Sequence, residues 1–213
     1  MVKGTDDPAA VQAAADAAMA VRVKRALRQR MAQLRKALPH AARQERSRRI
    51  VDRLAQHPGL AVASGVGLFA PMLEKGEIDL RPLDAWCREH GKRVYYPFMQ
   101  PTESGFHTGF RQVRQEHELA LRGHRFLEPD PSLPEATADE IDFIVVPALA
   151  AAATGYRIGS GSGFYDATLP DFPAAKTCVV VFSFQMLAEI PLEPHDRRCD
   201  LVCNDDELID TSN

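Results

Sequence analysis

Apolar positions along this chain follow two rhythms. In the first fifty residues they recur at helical spacing. Val23, Ala26, Leu27, Met31 and Leu34 mark one amphipathic helix that Pro39 stops. Ile50, Val51 and Leu54 mark a second, ending near Pro58-Gly59. Beyond residue 60 short apolar runs alternate with helical or turn-rich stretches. "AVASGVGLFA" (61–70) predicts a buried strand, and "DLRPLDAWCREHG" predicts a helix opening at Asp79 and closing at Gly91. "RVYYPF" predicts a strand and "GFHTGFRQV" a more exposed one, whereas the Pro- and acid-rich "FLEPDPSLPEATADE" predicts loop. "IDFIVVPALA" and "TCVVVFSF" are continuous apolar runs, as in strands of a parallel sheet covered on both faces. "CDLVCN" predicts a short last strand.

Strands alternating with helices predict an α/β fold: a single open, mostly parallel sheet flanked by helices, a Rossmann-like three-layer arrangement with basic helices at the N-terminus. No internal repeat and no clean boundary divides residues 18–213, which read as one domain. Residues 1–17 are Ala-rich but carry Asp6, Asp7 and Asp16. They are too charged for a secretory h-region and read as a flexible extension, weakly helical at best.

Composition narrows the function in a few places. With 45% hydrophobic and 26% charged residues, a mean hydropathy of -0.25 and a net charge of -3, the chain has no global pull towards nucleic acid or membrane. Its four cysteines (Cys87, Cys178, Cys199, Cys203) lack disulfide spacing and read as reduced thiols, so a cytoplasmic location is expected. Charge is uneven, however. Residues 22–53 hold 12 Lys or Arg against Glu45 and Asp52. Without interleaved aromatics this stretch is a weak nucleic-acid surface, and a solvated helix face is the simpler reading. His195, Cys199 and Cys203 stand four apart, but no fourth ligand completes a zinc set.

The feature that asks for chemistry is "GYRIGSGSGFYD", Gly155 to Asp166, which holds four of the 13 glycines and follows the apolar strand 141–149. It is neither the Gly-x-Gly-x-x-Gly of dinucleotide sites nor a Walker loop, since no Lys-Ser or Lys-Thr follows. Ligands of open α/β sheets bind beyond the carboxyl ends of the strands, where this loop sits. Its backbone N–H groups can face an anion, although a helix N-terminus supplies only about half a unit charge. A triphosphate therefore needs side-chain cations or a divalent metal as well. Arg157 is the local cation and Asp166 the local hard-oxygen ligand, with Asp196 and Asp200 as candidate partners for one ion.

These residues resemble a known family. "VVPALA" followed by "GYRIGSGSGFYD" resembles the signature of the 5-formyltetrahydrofolate cyclo-ligases, and "KRALRQRM", "GEIDL", "GHRFLEP" and "FSFQMLAEIPLEPHDRRCDLVCN" resemble further family segments in the same order. The likeness covers about residues 20 to 205. It implies a cytoplasmic, monomeric enzyme that uses ATP and Mg2+ to close 5-formyltetrahydrofolate to 5,10-methenyltetrahydrofolate through an N5-iminium phosphate, releasing ADP and phosphate. It implies no nucleic-acid or membrane partner. Carried over by position, Lys24 and Arg28 contact ATP phosphates, and Arg157, Ile158, Gly159, Ser160, Gly161, Ser162, Gly163, Phe164 and Tyr165 wrap the nucleotide. Arg157 and Tyr165 are the catalytic pair. Ser160 to Phe164, with Met72 and Glu77, line the folate side. Asp166 and Asp196 hold magnesium, and the other ten basic residues of 22–53 are left solvated.

Two departures stand out. Ala151 and Ala152 follow the "PALA" stretch where the family has an aromatic and an acid. Ser160 and Ser162 fill slots between glycines that in the family often hold Lys or Arg. They leave open a weak or inactive paralogue that binds a folate or nucleotide on the same fold.

Overall fold

A computed structural model describes residues 8–103, 105–122 and 126–212. Residues 123–125, the start of the "GHRFLEP" segment, lie outside the described residues. Along the chain come helices α1 (Pro8–Ala37), α2 (His40–Ala55) and α3 (Pro58–Val62), strand β1 (Gly65–Gly67) and helix α4 (Arg81–Glu89). Strands β2 (Arg93–Thr102), β3 (Gly105–Gln112), β4 (Leu119–Leu121), β5 (Leu127–Pro129), β6 (Phe143–Pro147), β7 (Ala150–Ala152) and β8 (Arg157–Ile158) follow. The remainder is α5 (Phe164–Thr168), β9 (Lys176–Val180), β10 (Met186–Leu187), β11 (Leu201–Cys203) and β12 (Leu208–Asp210).

Seven strands form the main sheet in the order β12-β11-β9-β6-β1-β2-β3. The five central ones are parallel, and the edges β3 and β12 run antiparallel to their neighbours. This is the expected open, mostly parallel sheet. Side chains alternate across it, as pleating requires. Phe143, Val145, Cys178, Val180, Leu201 and Cys203 face a core shared with Ile50, Val51, Leu54, Leu60 and Leu83 of the helices. Ile144, Val146, Val179 and Val202 face a second core with Phe110, Phe164, Leu169 and Phe172. The continuous apolar runs thus reflect burial on both faces. The layers are unequal: α2 to α4 cover one face, while the other is closed by short α5 and the turn at 169–171.

The strand order reverses between β1 and β6. The chain grows from β1 to β2 on one side and from β6 to β9 and β11 on the other. Such a switch point opens a crevice at the carboxyl ends of the two strands. Here the segment 68–80 leaves β1, and the segment running into the glycine loop leaves β6. Between β6 and that loop stands a hairpin the sequence does not announce. β7 pairs antiparallel with β8, and β10 adds parallel to β7. The buried Gln185 fastens this small sheet by donating to the Leu149 carbonyl at 2.6 Å while its Oε1 accepts from Phe182 N. A third core of Met31, Leu149, Ala150, Ala152, Ile158 and Ile190 seats α1 against it.

Two expectations are corrected here. The first helix begins at Pro8, so residues 8–17 are helical rather than a flexible extension; residues 1–7 lie outside the described residues. The eight Ala at 8–20 have the highest helix propensity and no proline follows Pro8 until Pro39, so nothing in the sequence breaks the helix. The Pro- and acid-rich stretch contains strand β5, paired with β4, because its Leu-Glu-Pro run is extended before Pro129.

Candidate functional site

One stripe of α1 organises the crevice. Lys24, Arg28, Met31 and Arg35 are spaced four, three and four apart, so they lie along one face of the helix. Eleven residues at 1.5 Å each place Lys24 about 16 Å along the axis from Arg35. Each side chain of the stripe meets a different segment.

At the far end, Arg35 is buried and bridges both sides of the switch point. It donates to the Lys75 carbonyl at 3.2 Å, to the Ala148 carbonyl at 3.4 Å and to Glu77 Oε1 at 3.4 Å. The other Glu77 oxygen accepts from Met72 N at 2.9 Å. Burial dominates both charges: it pushes the Glu77 carboxyl above its usual value and the Arg35 guanidinium below its own, each only partly offset by the other. Met72 and Glu77 are thus brought together on the loop leaving β1.

Midway, Arg28 Nε donates to the Gly159 carbonyl at 3.1 Å. The glycine loop arches over it. Gly161 (φ 102°) and Gly163 (φ 71°) hold positive φ, which explains the glycines at these two positions. A Cβ at Gly161 would make only ordinary contact with Arg28 at 3.7 Å, so conformation rather than space demands glycine there. Ser160 to Gly163 are exposed, and Gly163 caps the start of α5. Ile158 and Phe164, expected to touch ligand, bury their side chains in the third and second cores; what they present is backbone.

At the near end, Lys24 is only 2% exposed, and its ammonium sits between two carboxylates, Glu193 at 2.7 Å and Asp196 at 2.5 Å. Arg157, also buried, donates to Asp166 Oδ1 at 2.7 Å and to the Arg197 carbonyl at 2.6 Å. Arg197 N also donates to Asp166 Oδ1, which brings Asp166 beside the residue following Asp196. Tyr165 completes this corner. Its buried hydroxyl has no hydrogen-bond partner among the described residues, and burial pushes its phenol well above the ordinary value, so it stays a donor.

Asp166 and Asp196 each offer a hard oxygen of the kind a divalent cation takes, although Asp166 is not in the group of possible metal ligands that contains Asp196. Asp166 uses only Oδ1 and Asp196 only Oδ2; the second oxygen of each accepts no hydrogen bond among the described residues. Among these residues one group of three possible metal ligands lies together, Glu193, His195 and Asp196. The zinc set does not assemble, because Cys199 and Cys203 are fully buried outside that group. Burial also pushes Cys203 up to about 12, so it is no ready thiolate. Asp200 is spent elsewhere: its carboxylate holds the Thr177 backbone N and hydroxyl, tying β11 to β9.

Residues 20–205 match the profile of the 5-formyltetrahydrofolate cyclo-ligase family. The chain belongs to this family. It is 34% identical over 183 residues to the 5-formyltetrahydrofolate cyclo-ligase of Mycolicibacterium smegmatis, covering 84% of this chain and 91% of that one. It is 29% identical over 167 residues to that of Escherichia coli K12, covering 77% and 90%. A solved 5,10-methenyltetrahydrofolate synthetase from Aquifex aeolicus superposes with a TM-score of 0.77 at 25% identity, over 90% of this chain and 94% of that one.

Against that background, the basic stretch reads differently from a solvated face. Arg35 is buried on the Glu77 carboxylate, Arg46 pairs with the buried Asp205, Arg43 caps the Leu73 carbonyl, and Arg53 holds the 204–206 carbonyls. These arginines fasten the two N-terminal helices to loops of the sheet. The other six, Arg22, Arg25, Arg30, Lys36, Arg48 and Arg49, keep the expected exposed character, the last two paired with Glu45. Sequence reasoning missed Arg35 and Glu193. The first continues the Lys24–Arg28 stripe by seven residues, a spacing that would have found it; the second precedes Asp196 by three in a Pro-flanked turn and carries no other signal.

Proposed function

We propose that the protein converts 5-formyltetrahydrofolate to 5,10-methenyltetrahydrofolate at the expense of ATP, with magnesium, in the crevice at the switch point. The observation that carries this reading is the α1 stripe. It presents a buried carboxylate at one end, cations and carboxylates at the other, and an exposed glycine loop between them, in a chain of the cyclo-ligase family.

Glu77, with Met72 beside it, takes the pterin: an ionised carboxylate accepts from the adjacent N–H groups of the pterin edge. The triphosphate lies along the loop. Lys24, Arg28 and Arg157 neutralise it, and the N–H groups of 160–163 face it. Arg28 stands where the serines of this loop bring no charge, so the cation comes from α1 instead. Asp166 and Asp196 would hold the magnesium ion, which when bound neutralises phosphate charge.

The chemistry follows from alignment. The formyl oxygen attacks the γ-phosphorus in line as the bond to ADP breaks, and the N5 lone pair forms the C=N5 bond of the iminium phosphate. N10 then attacks the formyl carbon, the C–O bond breaks, phosphate departs and the N10 proton is lost. Positioning and charge neutralisation do this work, and no protein nucleophile is required. Tyr165 donates its hydroxyl hydrogen to an oxygen of the transferring group, the role that its buried position without a partner leaves open.

Mixing the protein with ATP, magnesium and 5-formyltetrahydrofolate will produce the methenyl absorbance. Folded protein that binds the folate yet gives no absorbance across pH and metal conditions would sink the reading in favour of a non-catalytic binder.

A further inference from the structure

Two of the three cations assigned to the nucleotide, and both carboxylates assigned to the metal, are already consumed by one another; Arg28 instead donates to the Gly159 carbonyl. Lys24 sits on Asp196 and Glu193, and Arg157 sits on Asp166. These contacts are short, at 2.5 to 2.7 Å, and both cations are almost wholly buried. Yet the same cations are the ones assigned to phosphate, and Asp166 and Asp196 the ones assigned to metal. Resting on that assignment, we infer that the free site neutralises itself and admits metal and nucleotide only together, by exchange of partners.

The argument is one of uncompensated charge. A divalent ion arriving alone must draw Asp196 from Lys24 and Asp166 from Arg157. It leaves Lys24 on Glu193 alone and Arg157 on the Arg197 carbonyl without its carboxylate, and taking the carboxylate from a buried cation is strongly unfavourable. A metal-free triphosphate arriving alone must draw Lys24 and Arg157 away, and it strands carboxylates beside its own negative charge. The metal–nucleotide complex brings both signs at once. Each carboxylate passes to the metal and each cation to phosphate, so no charge is left bare. Glu193 is the anion that stays. It holds the Lys24 ammonium at 2.7 Å when Asp196 turns away, which keeps Lys24 aimed at the site through the exchange. Coupling of this kind is reciprocal: whatever factor the metal adds to nucleotide affinity, the nucleotide adds to metal affinity.

The test uses the full chain and three probes: Mn2+ alone, followed by the EPR signal of the free ion; ATP alone in the presence of EDTA, by calorimetry; and preformed MnATP. In the wild-type protein, Mn2+ alone and ATP alone each bind at least about tenfold more weakly than MnATP, a separation of about 1.4 kcal/mol or more. Lys24→Met, which frees Asp196, binds Mn2+ alone at least about tenfold more tightly than wild type while losing affinity for ATP. The gain is lost in Lys24→Met/Asp166→Asn, whereas Mn2+ held by Glu193, His195 and Asp196 alone does not depend on Asp166; a gain that survives in the double variant overturns the exchange. Equal affinity of the wild type for ATP and MnATP overturns the exchange, as does Mn2+ binding that Lys24→Met leaves unchanged or weakens. If Lys24→Met does not fold, Lys24→Gln takes its place, and the wild-type comparison stands by itself. Methenyl formation is followed on the wild-type preparation. Wild-type turnover without the Mn2+ gain in Lys24→Met sinks the exchange alone, whereas the Mn2+ gain with no wild-type turnover sinks the catalytic reading and leaves the exchange.

Discussion

The two ends of the α1 stripe solve opposite problems. At the Arg35–Glu77 end a single long contact of 3.4 Å joins two groups whose proton affinities are both governed by burial. Backbone does the rest: Met72 N, the Lys75 carbonyl and the Ala148 carbonyl hold the pair in place. At the Lys24–Arg157 end the contacts are short and mostly between side chains, and Asp166 keeps 25% of its side chain in solvent. The first end is a fixed feature of the fold that happens to display a carboxylate. The second is a set of charges that can change partners without disturbing the sheet. Both ends are buried and partly held by backbone. What separates a rigid half from a responsive one is therefore the pairing of several charges in short contacts and the solvent left to Asp166, not burial.

Arg35→Met tests the rigid half and carries the largest expected effect. It leaves Glu77 buried with no cation, and removing one member of such a pair costs about 3–5 kcal/mol. For a chain of this size each kcal/mol moves the melting temperature by roughly 2–4 °C. Circular dichroism should show melting about 10 °C lower, with most of the loss recovered in the double variant Arg35→Met/Glu77→Gln. A loss under about 1 kcal/mol would mean that the pair does not hold α1 to the switch point.

Arg157→Ala tests the responsive half. Its loss lowers melting as well, since it leaves Asp166 and the Arg197 carbonyl without this donor. The rate reads its role: turnover falls about 10²- to 10³-fold, as when one preorganised donor to a developing charge is removed. Steady-state assays of methenyl formation give the value. A change in the folate KM alone would place Arg157 on the wrong substrate. Arg28→Met is milder. Losing one charge-assisted contact to phosphate raises the KM for ATP about tenfold, or about 1.4 kcal/mol. Adding Ser162→Lys to it should restore part of that loss, because a lysine from the loop replaces the cation from the helix. If Ser162→Lys helps the wild type as much as it helps Arg28→Met, the two positions do not share a task.

The halves also differ in how far the sequence reveals them. The sheet is legible because parallel strands buried on both faces leave unbroken apolar runs, as at 143–147 and 176–180. The nucleotide end is legible because glycines with positive φ and flanking charges leave a compact string, and the family resemblance extends it to Lys24 and Asp196. What stays hidden is long-range. Nothing local in "LRKAL" says that Arg35 will be buried on a carboxylate 42 residues away. Ala150 to Ala152 look like the tail of a strand until the chain folds back as a hairpin on β8 and β10. The helix at 8–17 is hidden behind the acids of its sequence, of which Asp16 lies in the helix at an exposed position.

The smallest expected effect sharpens the comparison most, because it sets stability against function at one residue. Glu77 in the folded protein has its carboxyl pKa raised, chiefly by burial. The folded state therefore binds more protons than the unfolded state between the ordinary carboxylate value and the raised one. Stability from this group is complete below the unfolded value and is lost as pH rises through the folded value. The offset from Arg35 and Met72 N keeps the effect modest. In Glu77→Gln, which stays neutral, the loss disappears, so melting curves of wild type and variant should converge at low pH and separate, with the wild type falling behind, as pH increases. Folate reverses the sign. The pterin edge needs the ionised carboxylate, so bound 5-formyltetrahydrofolate stabilises the wild type more at higher pH, across the same window. If the ligand-induced rise in melting temperature shows no such pH dependence, Glu77 does not receive the pterin. If it does, the substrate adds donors to those that Arg35 and Met72 N already give this carboxylate, and so offsets the burial that raises its pKa.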